Sequence, residues 1–184
     1  MPVTEPDQVP ARDRSGIPRW LLALAVGLPI VLVVTVVVAA TVLRTQGPGP
    51  LALPPVPAPE ARSGGCDALL ATLPEELDAG DVALDRRRIT APAPAGTAAW
   101  GQPPVVLRCG LPRPAELTAT SRLIDVSGVE FLEVAGHGAS SWIVVDRPVY
   151  VALTLPDGVS SGPLQQVAGG VRDSLPRREV DVGN

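Results

Sequence analysis

Residues 141–155 read SWIVVDRPVYVALTL, and this stretch decides the fold. In its second half Val149, Val151, Leu153 and Leu155 fall on one side of an extended chain, and Tyr150, Ala152 and Thr154 on the other. Ser141 to Val145 forms a second apolar run. Only Asp146-Arg147-Pro148 separates the two, so they predict an antiparallel hairpin. Pro156-Asp157-Gly158 ends the second strand. A sheet with an apolar face needs a cover, and the next segment supplies one. Gly162-Pro163 opens a helix with Pro near its first position. Leu164, Val167, Ala168, Val171 and Leu175 then repeat along one helical face. Gly169 and Gly170 weaken that helix by about 1 kcal/mol each relative to Ala. A helix laid on an antiparallel sheet is the α+β class.

Working back toward the N-terminus, Gly136-His137-Gly138 marks a turn and Val129 to Val134 a strand. Thr118 to Val126 reads as a strand or an extended loop. Val105 to Cys109 is a strand entered from Pro103-Pro104, as strands tolerate. Residues 91–104, rich in Pro and small side chains, read as loop. Asp67 is suited to cap a short helix carrying Leu69, Leu70 and Leu73, and Pro74 interrupts it. Pro74-Glu75-Glu76 would restart a helical turn. The expectation is a domain over 64–176 of about four mostly antiparallel strands with a C-terminal amphipathic helix, and a flexible polar tail over 177–184.

Ahead of this domain lies a different kind of segment. Trp20 to Leu43, WLLALAVGLPIVLVVTVVVAATVL, is 24 residues without a charge. A bilayer core needs about 20 apolar residues in a helix. A secretory signal has an apolar core of only about 7–15 residues, so an uncleaved anchor is expected, although Val38-Ala39-Ala40 would serve as a cleavage site. A buried helix of a globular domain would show a polar face, and none is present. Pro29 lies mid-span, where membrane helices tolerate it, and no ionisable group suggests transport. Arg12, Arg14 and Arg19 precede the segment, against Arg44 and Arg62 after it, which orients the N-terminus to the cytoplasm. Residues 1–19 then form a disordered cytoplasmic tail. Residues 44–63, with six Pro among TQGPGPLALPPVPAPEARS, form an extended linker that holds the domain off the membrane.

From Gly64 onward ten Arg face fifteen acidic residues, a net of −5. That balance argues against a nucleic-acid binder. All fifteen basic residues are Arg. With abundant Ala, Val, Pro and Gly, this is the codon usage of a GC-rich bacterial genome.

Outside the membrane, Cys66 and Cys109 meet an oxidising compartment, so a disulfide is expected. Closing a loop of about 44 residues is worth roughly 4 kcal/mol in chain entropy. Two Cys with one distant His do not make a zinc site, and no Cys-x-x-Cys is present. No catalytic motif emerges, and no cofactor or metal ligand set. His137 has neither nucleophile nor acid assigned to it. Arg86-Arg87-Arg88 would suit a polyanion, but Asp81 and Asp85 beside it favour a solvated mixed-charge segment. Asp78, Asp81 and Asp85 do not match a calcium loop. Trp100 and Trp142 suit a core with one Phe and one Tyr, or a sugar-stacking platform. With Arg108 they are the candidates for a binding surface.

The order of parts resembles an actinobacterial membrane-anchored family, domain of unknown function 3515. The resemblance rests on Cys66-Asp67-x-Leu69-x-x-x-x-Leu73-Pro74, the Arg cluster at 86–88, Ala99-Trp100-Gly101-Gln102-Pro103-Pro104-Val105-Val106-Leu107-Arg108-Cys109-Gly110, and Arg147-Pro148-Val149-Tyr150-Val151. It spans nearly all of 64–176. It implies an envelope protein and supports the paired Cys, and it brings no activity. The expected function is a non-catalytic, extracytoplasmic module on a single membrane span, binding a protein or cell-wall partner. The alternatives are a hydrolase or transferase acting on wall precursors, with Glu130 and Glu133 as acids, and a structural subunit of a membrane complex.

Overall fold

The computed structural model describes residues 19–45 and 49–183. The expected tail over 1–19 lies, except for Arg19, outside them. The chain divides into two units, 1–47 and 48–184. The first contains helix α1, Arg19–Thr45, with Pro29 inside it. From Leu28 to Thr41 the side chains of α1 are exposed. Among the described residues no helix is long and apolar enough to cross a membrane.

The second unit is α+β. Its order is α2 (Gly64–Thr72), β1 (Glu76–Asp78), β2 (Ala83–Asp85), β3 (Thr97–Trp100), β4 (Val105–Leu111), β5 (Leu123–Val126), β6 (Val129–Ala135), β7 (Ala139–Val144), β8 (Tyr150–Pro156) and α3 (Gly162–Ser174). Strands β3-β4-β8-β7-β6-β5 form one antiparallel sheet, and β1-β2 a separate ribbon. The sheet therefore has six strands where about four were expected. The 141–155 hairpin is its centre, with Trp142 opposite Leu153 and Val144 opposite Val151.

Alternation sorts the side chains as the sequence implied. Val149, Val151, Leu153 and Leu155 are buried under α2 and α3, with Leu69, Leu164, Val167 and Val171. Each such side chain taken out of water contributes about 1.5–3 kcal/mol. The opposite face holds a smaller cluster of Leu117, Leu132 and Val145, with Tyr150 and Val180 packed on it. The disulfide joins Cys66 on α2 to Cys109 on β4, with Cα atoms 5.7 Å apart.

Helix α2 starts earlier than expected. Ser63 is the cap, its Oγ accepting from the Cys66 N–H at 3.3 Å, so Asp67 sits in the first turn. Pro74-Glu75-Glu76 leads into β1 rather than a helical turn.

The Pro-rich stretch, expected to stand free of the domain, runs along it from Gly49. The Leu51 N–H donates to Arg88 O at 2.8 Å, and the Thr90 N–H donates to Leu51 O at 2.9 Å. The Glu60 N–H donates to Gly110 O at 3.1 Å. Gly110 has φ +82°, and a Cβ there would overlap the backbone of Glu60 and Ala61. The physical reason is simple: a polyproline-like segment keeps free carbonyls, and Arg87 and Arg108 donate to those of Gly49 and Pro54. The polar tail is likewise held, since the Arg178 N–H donates to Asp146 O at 2.8 Å and Arg113 donates to Asp181 O at 2.9 Å.

Candidate functional site

Glu133 on β6 lies directly opposite Trp142 on β7, and Ala135 opposite Ser140. The period of two turns Glu133, Trp142 and Leu155 to the side that carries α3. There they border a groove of about 460 Å³, walled by Ile124 and Val126 of β5 and by Asp157 and Gln165. The Trp142 ring meets Phe131 edge to face, centroids 6.5 Å apart. One side of the indole is thus seated on the core while the residue stays part-exposed to the groove. Glu133 and Asp157 are exposed carboxylates, and among the described residues no basic side chain lines the groove.

The groove's outer wall, β5, is an edge strand. The Val145 N–H donates to Glu130 O at 3.0 Å, so Glu130 turns its backbone toward β7. Its neighbours Val129 and Phe131 then turn theirs to β5, where they meet Val126 and Ile124. The tight turn at Ser127 (φ +55°) and Gly128 (φ +81°) fixes that register. Leu123 and Asp125 are left with amide and carbonyl directed outward. Among the described residues no other backbone group takes them up.

The opposite face carries a second cavity of about 490 Å³, lined by Glu130, Asp146, Arg177, Arg178, Glu179 and Val180. Three of its charges answer one another. Arg177 Nη2 lies 2.8 Å from Glu130 Oε1, and Arg177 Nε 3.6 Å from Asp146 Oδ2. Beneath them Asp146 and Arg147 are both buried, and the Arg147 Nη2 donates to Gly128 O at 3.1 Å. Tyr150 lies nearby. Burial first, then the Asp181 carboxylate, pushes its hydroxyl pKa above the ordinary tyrosine value.

The three residues expected to form a binding surface do not converge. Trp100 is fully buried, so that expectation is corrected: its Nε1 donates to Pro74 O at 2.9 Å and the Arg86 guanidinium sits 5.6 Å from its ring centre. Arg108 is on the opposite face from Trp142, because Arg108 aligns with Ala152 and Ile143 whereas Trp142 aligns with Leu153 and Leu107. Its Nη2 donates to Pro54 O at 3.0 Å, and burial pulls its pKa down. Only Trp142 borders an opening. Glu130 and Glu133, named as acids, differ by three along β6 and so point to opposite faces. Arg86 and Arg87 are spent on Leu73, Gly49 and Gly101 carbonyls. The Asp78 Oδ1 accepts from the Gly80 N–H at 2.7 Å, and among the described residues no group of three or more His, Cys, Asp or Glu gathers.

Two features escaped the sequence. Asp146-Arg147 read as a plain turn, although two adjacent charges between strands buried on both sides are a signal for an internal pair. Gln165 and Asp157 gave no signal, since only the packing of α3 on the sheet brings them to Trp142. Chemically the groove offers an aromatic face, two carboxylates and an open strand edge, the means to hold a ligand.

Residues 26–180 match a family model described as "Protein of unknown function (DUF3515)". No curated protein and no solved structure matches the chain.

Proposed function

Given that the chain belongs to the DUF3515 family, we propose that it is a non-catalytic binding module of the bacterial cell envelope, anchored by one membrane span. In this reading Trp20–Leu43 crosses the membrane with the N-terminus in the cytoplasm. The uncharged 24-residue stretch and the Arg residues before it support that arrangement. The Cys66–Cys109 bridge supports a domain in an oxidising compartment, on the far side. An all-Arg basic complement supports a GC-rich bacterial source, and the family resemblance implies an actinobacterial one.

The observation that carries the binding role is Trp142, part-exposed in a groove beside Glu133. Large aromatic side chains with one seated and one open side are the usual anchors of recognition surfaces. The partner is a protein or a cell-wall component. A hydrolase built on Glu130 and Glu133 loses support, because the two acids lie on opposite faces of the sheet. A purely structural subunit would expose an apolar sheet face, and Leu117 and Val180 cover much of the one available.

The test uses the full chain in detergent, immobilised and exposed to solubilised envelope. The reading expects specific retention of a defined component by the native chain and its loss with Trp142→Ala. Equal retention by both would overturn it.

A further inference from the structure

Resting on the groove as the binding site, we infer that its ligand is an extended, cationic peptide segment of a partner protein, which adds to β5 as a further strand of the sheet. Two independent features carry this. The first is charge. Glu133 and Asp157 face the groove, and among the described residues no Arg lines it, in a chain without Lys. A part-exposed indole flanked by carboxylates is a receptor for an organic cation, which gains a charge-assisted hydrogen bond and the ring's quadrupole together. A neutral sugar would use the ring and leave the carboxylates without a charged partner.

The second feature is the backbone. Leu123 and Asp125 present outward-directed amides and carbonyls on an edge strand that borders the same groove. An edge strand is a template for strand addition, and proteins blunt it against their own copies with short length and charge, as here with four residues that include the exposed Asp125. Strand β5 is short, so it limits pairing with copies of itself while still offering two residues' worth of ladder. In such an arrangement alternate side chains of the peptide lie toward Ile124 and Val126, where a long basic side chain extends toward Glu133 and Trp142.

Fluorescence anisotropy with the full chain in detergent tests this. The probes are a labelled eight-residue peptide alternating Val and Arg, its Val/Glu counterpart, the Val/Arg peptide N-methylated on alternate amides, and a labelled neutral chito-oligosaccharide. Saturable binding of the Val/Arg peptide alone is expected. Glu133→Gln should weaken it about tenfold, the loss of one charge-assisted bond. The N-methylated peptide keeps the charge and loses the ladder, so it should not bind, and this needs no change to the protein.

Equal binding of Val/Arg and Val/Glu peptides, or undiminished binding of the N-methylated one, would overturn the inference. Binding of the oligosaccharide with no peptide binding would overturn it too while leaving the binding module intact. Retention of an envelope component lost with Trp142→Ala, with none of the probes bound, would also refute the peptide and spare the module.

Discussion

Asp146 and Arg147, neighbours in sequence, turn their charges on each other inside the domain: Oδ2 and Nη1 are 2.5 Å apart and the side chains are 1% and 2% exposed. They sit between the central strands β7 and β8, and the tail crosses above them. Removing one partner of a buried pair strands the other charge, at a cost of about 3–5 kcal/mol. Arg147→Met should therefore lower the urea midpoint of the domain sharply. Replacing both, as Asp146→Leu with Arg147→Met, should cost less than the single change. A double variant as damaged as the single one would mean that the pair is not the source of the effect.

The Cys66–Cys109 bridge spans 43 positions. Cross-linking such a loop is worth roughly 4 kcal/mol in chain entropy. Thermal unfolding with and without reductant, or of Cys66→Ala with Cys109→Ala, should show a loss of that order. An unchanged Tm would contradict the anchoring of α2 on β4 by this bond.

Tyr150 is the chain's only tyrosine, so its phenolate absorbance can be followed cleanly. Burial, and after it Asp181, raise its pKa. Its neutral form is thus favoured by folding. The stability it lends is complete below the unfolded value of about 10 and is lost as pH rises through the folded value. The ultraviolet titration should run above that of the unfolded chain, and Asp181→Asn should bring it part of the way down. A titration at the ordinary value would contradict the packing of the tail on this face.

Gly110 holds a left-handed conformation against the backbone of Glu60 and Ala61. Gly110→Ala should cost about 1–3 kcal/mol. Its clearest readout is local. Trypsin should cleave after Arg62 faster in the variant, as the 49–63 strap loosens. Equal cleavage rates would show that the strap is not held there.

How far these features were legible depended on pattern length. Residues 149–155 alternate over seven positions and 164–175 repeat over three turns, so strand and helix could be read directly. Thr97–Trp100 has four residues in a Pro- and Ala-rich setting, and it becomes a strand only because β4 pairs with it. Strands β1 and β2, three residues each, define each other in the same way. Trp142 could be named from the sequence because a hairpin strand carries it. Its opposition to Glu133 depends on the β6–β7 register, and its separation from Arg108 on a parity across three strands. Neither is written locally. The contacts of the strap and the tail are not legible for one reason: polar and Pro-rich segments look solvated until the arginines that hold their carbonyls are known.

The central claim is that the groove beside Trp142 is where this protein meets its partner. Site-specific photo-cross-linking in living cells tests it most directly, with the reactive residue placed at Gln165 in the groove or at Glu116 away from it. The account predicts a discrete cross-linked species at Gln165, absent at Glu116 and lost when Trp142→Ala is added. A product from Glu116 only, or one at Gln165 that survives the loss of Trp142, would contradict it.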